Sequence, residues 1–222
     1  MGIVSIDFIQ LHYKHAFTYM SHIKELNELI KSKGGHPHGW YLTIAGGADE
    51  IVVFTHWESM AARNAAHDSI AQEQIALHHK LAKCIQHHHN VIAMPNPKVH
   101  KEGSHDETKL IRIGAYKANG NPMAAGTHYA DLVNQWKAKS GSDSKLRGVL
   151  HPIAFTGPYN LISVFEEGPS GMDDNIKKMM TTAADPANAE MMTKTFSEFT
   201  ALSARICKPL TDEYLAKLPK HD

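Results

Sequence analysis

The chain has 222 residues, of which 42% are hydrophobic and 21% charged, as is typical of a globular chain of one or two domains. Its 23 Lys and Arg residues balance its 23 Asp and Glu residues, so its charge does not indicate binding to nucleic acid or to an anionic membrane. Its two cysteines, Cys84 and Cys207, are too few for a disulfide framework and indicate a reducing compartment. With no membrane-spanning apolar stretch and no presequence pattern, the expected location is the cytoplasm.

The first half of the chain predicts the element order β-α-β-β-α-β of a ferredoxin-like unit. A strand pattern over residues 3–11 precedes an amphipathic helix over residues 14–33, which ends at a glycine pair. A hairpin follows over residues 39–58, and then a long helical region over residues 59–89. A short strand over residues 90–94 completes the unit.

The long helical region is predicted to break. A continuous helix over residues 59–89 would be about 46 Å long at ~1.5 Å per residue, which is more than one such unit can cover. We therefore expect a break or bend between Ser69 and Gln74. The matching segment of the second half contains Asp185 followed by Pro186, a typical helix boundary.

The second half repeats this order, and its hairpin aligns with the first. Trp57 matches Phe165, and Glu58 matches Glu166. The predicted elements are a strand at residues 110–116, a helix at 122–140, a hairpin at 148–165, helical stretches at 172–182 and 186–205, and a closing strand at 206–210. We predict a first unit at residues 1–97, a linker at 98–108, a second unit at 109–210 and a C-terminal tail at 211–222.

The strands are apolar on both faces, which indicates how the two units pack. Ile51, Val53 and Trp57 alternate with Val52 and Phe54. The helices of a ferredoxin-like unit cover only one sheet face, so the other face needs a partner. We predict an α+β fold in which two antiparallel ferredoxin-like sheets pack face to face.

Two short motifs resemble a known group of proteins. The hairpin ends with VVFTHWES at residues 52–59, and Met60-Ala61-Ala62-Arg63 starts the next helix; together they resemble the dimeric α+β barrel superfamily. The tandem copy, with Gly39-Trp40 opening the second strand, is most similar to the NIPSNAP family. The resemblance implies two ferredoxin-like domains in one barrel-like sandwich. It also implies links to mitochondria and vesicle trafficking, although the presequence of many animal members is missing.

The superfamily also suggests two kinds of chemistry. It includes cofactor-free oxygenases and haem-degrading monooxygenases. The latter carry a Trp-Glu-Ser type of strand end and a haem-ligating histidine on the following helix. By that resemblance His67 and His78 lie on the helix that would supply a haem ligand.

Seventeen histidines are the one unusual feature of the composition. A solvated helix face explains most of them, although histidine is also a common acid, base and metal ligand. His67, His78 and His89 are 11 residues apart, so on one continuous helix they would share a face. Cys84 and His88 have the i, i+4 spacing of two metal ligands, but no third ligand is identifiable, and we predict no metal site.

The candidate site is placed in the first copy, because His56 and Trp57 are replaced by Val164 and Phe165 in the second. An indole wall beside an imidazole suits an aromatic or enolisable ligand; the alternative is that Trp57 is simply a core residue. The predicted catalytic residues are His56, Trp57 and His67. The predicted ligand-binding residues are Tyr13, His15, Tyr19, Trp40 and His78, with Tyr116, His128 and His151 as candidates from the second copy.

Three functional hypotheses follow. The first is a NIPSNAP-like protein that binds a small apolar or aromatic ligand, or a protein partner or second copy, in a cavity between sheet and helices. The second is a cofactor-independent oxygenase-like or isomerase-like enzyme acting on an aromatic or lipidic substrate. The third is a haem-binding protein that uses a helix histidine. A cluster of methionines in the second copy is either adaptable core or a soft hydrophobic groove: Met172, Met179, Met180, Met191 and Met192.

Overall fold

The computed structural model describes residues 2–46, 50–73, 75–99, 109–154 and 158–218. Eight strands occur in these ranges: β1 (Ile3–Leu11), β2 (His36–Ala45), β3 (Glu50–Trp57), β4 (Ile85–Pro95), β5 (Ile111–Ala118), β6 (Lys145–Ala154), β7 (Leu161–Glu166) and β8 (Phe199–Pro209).

Eight helices occur in the same ranges, and the cores between helices and sheet place them outside the barrel. They are α1 (Ala16–Ser21), α2 (Ile23–Ser32), α3 (Met60–Glu73), α4 (Ile75–Ala82), α5 (Pro122–Ser140), α6 (Met172–Ala184), α7 (Ala189–Glu198) and α8 (Asp212–Ala216). Short 3₁₀ turns precede α1 at Tyr13–His15 and α7 at Pro186–Asn188. Within the described ranges, no helix is long and apolar enough to cross a membrane.

The strands form one closed barrel in the order β1-β3-β2-β8-β5-β7-β6-β4. Each half contributes a four-stranded antiparallel sheet, β4-β1-β3-β2 or β8-β5-β7-β6, which confirms the predicted α+β fold with two ferredoxin-like sheets. The sheets also pair at both edges, where Tyr41 lies opposite Pro209 and Met94 opposite His151. The face-to-face packing therefore takes the form of a closed barrel, in which no strand edge is left open.

Alternation along the strands divides the side chains between the barrel interior and the helices. Val4, Ile6 and Phe8 of β1 face the interior, where they pack with buried residues of the second half such as Ile113 and Ile162. The opposite sheet faces are covered by helices, with α1, α2 and α4 over the first half and α5 over the second. The unit boundaries stay a prediction, since most of the linker lies outside the described residues.

The prediction of a helix reaching His89 is wrong. Helix α4 ends at Ala82, and β4 begins at Ile85 and pairs with the central strand β1, placing His87, His88 and His89 opposite Gln10, Ile9 and Phe8. Pairing along this strand outweighs the weak local helical pattern. The three-histidine helix face and the helical Cys84–His88 spacing therefore do not exist. The predicted break ends at Gln74, which lies outside the described residues between α3 and α4.

The helix predicted up to Arg205 also ends early. Helix α7 stops at Glu198, and β8 runs from Phe199 alongside β5, with Phe199 opposite Ala118 and Cys207 opposite Ile111. After the buried Phe199, residues 200–204 of β8 are exposed, so this stretch lacks the apolar alternation that marks a strand in sequence. The C-terminal segment is not a bare tail, because Tyr214 and Leu215 of α8 pack on the core of the first half.

Candidate functional site

Trp57 is a packing residue of the first half. It is only 3% exposed and contacts Ile3 of β1, Ala66 of α3 and Ile92 of β4. Its indole Nε1 donates a hydrogen bond to the Ser5 Oγ at 3.0 Å. The indole thus fills the space between the sheet and α3, and its one polar atom is satisfied.

Two other predicted aromatic residues belong to a different buried cluster. Trp40 and Tyr19 pack with residues of α2 and β3, and the Trp40 Nε1 donates to Asn27 Oδ1 at 3.3 Å. Burial, with smaller contributions from Asp7 and Cys84, raises the pKa of Tyr19 far above its usual value. Tyr19 therefore stays a neutral phenol within the core and is not poised as a base.

The remaining predicted residues of the first half lie far apart in the fold. His56 shares a sheet face with Val4 at one end of the barrel, and its ring centroid is 6.2 Å from that of His38. Tyr13 is 83% exposed and His15 is also exposed. His78 lies in α4, and its side chain is outside the described part. The structure therefore does not bring the predicted set into one cavity.

A polar cluster lies on the outer sheet face near α3. The Asp7 carboxylate accepts hydrogen bonds from His88 Nε2 at 2.9 Å and from Asn90 Nδ2 at 2.6 Å, and Arg63 Nη2 donates to Asn90 Oδ1 at 3.0 Å. His67 lies beside this cluster and is exposed as a residue, but neighbouring groups desolvate its ring; this desolvation, then the charge of Arg63, lowers its pKa. Among the described residues, no group of three or more His, Cys, Asp or Glu side chains could hold a metal ion.

A cavity of about 360 Å³ lies in the second half, between the outer sheet face and helices α5, α6 and α7. Its floor is formed by side chains of β5, β7 and β8, and its walls and roof by the three helices. The residues that line it include Arg112, Gly114, Tyr116, Tyr129, Trp136, Phe165, Met179, Met180 and Met192.

The cavity arises from two substitutions between the repeats. In the first sheet Ser5 pairs with Thr55, two residues before Trp57; in the second, Gly114 pairs with Ser163, two residues before Phe165. Ser5 and Trp57 thus correspond to Gly114 and Phe165. The smaller ring and the missing side chain leave open in the second half the space that the indole fills in the first.

Tyr116 occupies part of the space above Gly114. A Cβ at Gly114 would lie 2.5 Å from the Tyr116 hydroxyl oxygen, so only glycine allows the ring to fold over the strand. The Tyr116 and Tyr129 ring centroids are 5.1 Å apart, and the Tyr129 hydroxyl lies 3.2 Å from Ser163 Oγ. Burial raises the pKa of Tyr129 well above its usual value, so it presents a neutral hydroxyl.

Arg112 places a cation against this aromatic wall. Its guanidinium lies 4.7 Å from the centroid of the Phe165 ring, a cation–π contact that holds the planar group flat. Across the cavity, Met179, Met180 and Met192 give an adaptable roof, and Met180 is 66% exposed. The arrangement can hold a flat apolar molecule with a negative or strongly polar oxygen directed at Arg112.

The sequence carried some signals of this cavity. One signal was the methionine cluster, for which a soft hydrophobic groove was one of two interpretations. Three of its members, Met179, Met180 and Met192, form the roof of the cavity. The other was a glycine in the middle of a strand, which often marks a close approach. Of the second-copy candidates only Tyr116 lines the cavity; His128 pairs with Glu198 at 2.7 Å, and His151 is buried beside Asn96 at 3.2 Å.

No protein-family model matches the chain, and no curated protein matches it. Among solved structures, it is similar to a putative monooxygenase from Lactobacillus acidophilus, with 12% identity, a TM-score of 0.59 and coverage of 95% of this chain and 94% of that one. An anthrone oxidase-like protein gives 8% identity, a TM-score of 0.59 and coverage of 95% and 92%. A variant of chlorite dismutase from Candidatus Nitrospira defluvii gives 11% identity, a TM-score of 0.57 and coverage of 98% of this chain and 95% of that one.

These similarities show the fold alone, an α+β fold of the dimeric α+β barrel type, and membership of the superfamily stays a prediction. A NIPSNAP family protein from Agrobacterium tumefaciens aligns with 44% of this chain at 18% identity and a TM-score of 0.41. That value is too low to support the closer resemblance, so membership of the NIPSNAP family stays a prediction.

Proposed function

We propose that the chain binds a small aromatic molecule with an acidic hydroxyl or keto oxygen in the cavity of the second half. The observation that carries this proposal is an apolar cavity of about 360 Å³ walled by Trp136, Tyr116 and Phe165, with Arg112 at its floor. Ligand sites of small molecules span roughly 300–1,000 Å³. The cavity lies at the small end of that range, which suits two or three fused rings.

The lining chemistry supports an aromatic ligand over an aliphatic one. Flat aromatic walls stack with flat rings, and the methionines of the roof adapt to their outline. The guanidinium of Arg112 is held by the Phe165 ring, and a charge acts more strongly in an apolar cavity than in water. An ionised hydroxyl of the ligand would therefore be attracted to Arg112.

Calorimetric titration with 2-hydroxyanthraquinone and with anthraquinone tests the proposal. We expect both to bind, the hydroxylated compound more tightly. Arg112→Met should remove most of that difference, and Trp136→Ala should weaken both at least tenfold. Trp40→Phe, a change in the core of the first half, serves as the matched control and should leave both affinities unchanged. Equal binding by the wild type and both cavity variants would contradict the proposal.

A second candidate function is oxygenation of the bound aromatic without a bound cofactor. Arg112 favours it, because a cation beside an enolisable ring carbon stabilises the enolate that reacts with dioxygen. Two proteins of the same fold are described as a putative monooxygenase and as anthrone oxidase-like. For an anthrone the reaction balances with dioxygen alone: the ring CH₂ loses both hydrogens, and the products are an anthraquinone and water.

Oxygen uptake with anthrone separates catalysis from binding. If the chain is an oxygenase, uptake and quinone formation match one to one, and Arg112→Met slows both while Arg112→Lys restores part of the rate. Binding of 2-hydroxyanthraquinone without uptake above the buffer rate would leave the binding function alone standing.

The haem hypothesis fits the described residues poorly. His67 is exposed, and the space between its helix and the sheet is filled by Trp57, Ala66 and Ile92. These residues leave no slot for a macrocycle beside His67, so we derive no chemistry through haem. A homodimer or protein partner and a mitochondrial association stay predictions, the first of which light scattering would test.

A further inference from the structure

A separate cavity of about 310 Å³ opens at the end of the barrel where β4 and β8 begin. Its floor is apolar and belongs to the barrel interior, with Phe8, Ile113 and Ile162. Its rim is polar and carries Glu50, His87, His89, Tyr159 and Arg205. Ile113 faces this cavity, while its neighbours Arg112 and Gly114 face the helix-covered one. The sheet therefore separates the two.

Arg205 is held at the rim by two contacts. Its Nε donates to Glu50 Oε2 at 2.5 Å, and its guanidinium lies 4.5 Å from the centroid of the Phe8 ring. Within the part of the chain that the structure describes, Arg205 bonds to Glu50 through Nε alone, so the two terminal amino groups can donate to a ligand. Arg205 thus presents two oriented N–H donors above an apolar floor.

The strand arrangement of the histidine run places further donors beside Arg205. His88 points outward to Asp7, whereas His87 and His89 point to the cavity. The His89 ring stacks on Phe8 at 6.1 Å, and its Nε2 lies 2.9 Å from the Tyr159 hydroxyl. Burial lowers the pKa of His89 and raises the pKa of Tyr159, so this hydrogen-bonded pair is uncharged at neutral pH and helps to fix the wall beside His87.

We propose that this end of the barrel binds a small aliphatic monocarboxylate. The carboxylate lies against the Arg205 fork and His87, and the hydrocarbon chain covers Phe8, Ile113 and Ile162. Arg–carboxylate pairs are bidentate and strong. Because Glu50 and Arg205 offset each other's charge, the preference for a carboxylate comes from the N–H donors of Arg205 and His87. A cationic ligand could not accept from these donors, and an uncharged amide would accept more weakly.

The opposite end of the barrel provides a matched control. It carries an ion pair of the same type, Arg147 with Glu166, next to His38. The cavity there is only about 50 Å³, against about 310 Å³ at the Arg205 end. One water takes up about 30 Å³ of liquid, so the larger cavity has the volume of about ten waters and the smaller one that of fewer than two. Octanoate, with its ten non-hydrogen atoms, therefore fits the larger cavity and not the smaller one.

Titration calorimetry with octanoate and with uncharged octanamide tests the proposal on the full chain. We expect octanoate to bind at least tenfold more tightly than octanamide. The double variant Arg205→Met/Glu50→Gln removes both charges together and should weaken octanoate at least tenfold, whereas Arg147→Met/Glu166→Gln should not. His89→Gln, which keeps a side-chain partner for Tyr159, should have a smaller effect. Circular dichroism and the Tm of each variant show that it is folded.

The outcome is distinguishable from the test of the helix-covered cavity. Octanoate and 2-hydroxyanthraquinone should bind together, each with an affinity unchanged by saturation with the other. Displacement of one by the other, equal binding of octanoate and octanamide, or equal loss in both double variants would overturn the proposal. Because Trp136 lines only the helix-covered cavity, we expect Trp136→Ala to weaken the binding of 2-hydroxyanthraquinone and to keep the affinity for octanoate.

Discussion

We predict that the cavity of the second half closes when its floor is made like that of the first half. The double variant Gly114→Ser/Phe165→Trp introduces the residue types of Ser5 and Trp57 at the matching positions. In the first half the indole donates to the serine hydroxyl at 3.0 Å and fills the space below α3. The same pair in the second half should occupy the space in which the aromatic ligand is proposed to bind.

The expected change in stability is small, because opposing effects are of similar size. The larger ring buries roughly 40 Å² more apolar surface, worth about 1 kcal/mol at ~25 cal/mol per Å², and the new hydrogen bond adds about 1 kcal/mol. Against this, a Cβ at Gly114 lies 2.5 Å from the Tyr116 hydroxyl oxygen, and such overpacking costs about 1–3 kcal/mol. The free energy of unfolding should therefore change by only about 1 kcal/mol.

The expected change in binding is much larger. A ring that fills the floor removes the stacking surface of Phe165 and displaces Arg112, so we expect the affinity for 2-hydroxyanthraquinone to fall at least tenfold, or about 1.4 kcal/mol. Calorimetry measures the affinity, and denaturant unfolding measures the stability.

The reverse exchange in the first half, Ser5→Gly/Trp57→Phe, is the control. It should lower stability, because it leaves a cavity and deletes a hydrogen bond, but it should keep the affinity. A folded Gly114→Ser/Phe165→Trp variant that binds as well as the wild type would refute the assignment of the cavity. So would a loss of binding confined to the first-half variant.

Three further predictions concern single residues. Burial lowers the pKa of His151 in the folded state from its usual 6.5, so the unfolded chain binds more protons as the pH falls. The stability that the neutral ring contributes is therefore complete above pH 6.5 and is lost as the pH falls through the lower pKa of the folded state. His151→Gln should flatten the acid side of a plot of Tm against pH, and an unchanged slope would contradict this. Haem titration should give no Soret shift that depends on His67, and a shift abolished by His67→Ala would restore the haem hypothesis. Burial raises the pKa of the Cys207 thiol to about 11, so iodoacetamide at pH 8 should label Cys207 only after unfolding; mass spectrometry would detect earlier labelling.

The fold could be predicted because it is repeated and rests on local patterns. Two hairpins with matching ends, Trp57 with Phe165 and Glu58 with Glu166, revealed the tandem units. Apolar residues on both strand faces required a second sheet. Closure into one barrel depends on pairing between residues far apart in the sequence, Ala45 with Ile206 at one edge and Met94 with His151 at the other, which no local pattern reports.

Strand limits failed where long-range pairing decides the structure. The segments that begin β4 and β8 are polar or exposed and look helical or irregular in sequence, yet both run beside a central strand, β1 or β5. The position of His87 and His89 at the barrel mouth follows from this pairing. It could not be foreseen from a helical assignment of the same residues.

The asymmetry between the repeats was identified from the sequence, but the cavity that accompanies it lies in the second half. Trp57 was expected to line a cavity because only the first copy has a Trp next to a His at this position, and the alternative was that it is simply the larger core aromatic residue. In the structure its size is the reason that the first half is filled, and the space lies where Phe165 and Gly114 replace it. The change at Gly114 is visible only after the strands are aligned through their pairing partners.

Chemical-shift mapping can show directly whether the second half holds the ligand. A titration of isotopically labelled protein with 2-hydroxyanthraquinone should shift the backbone amide of Gly114 and the indole of Trp136. The indole signals of Trp40 and Trp57 should stay unchanged. Shifts centred on Trp57 and His67, or no shifts at saturating ligand, would contradict ligand binding in the second half.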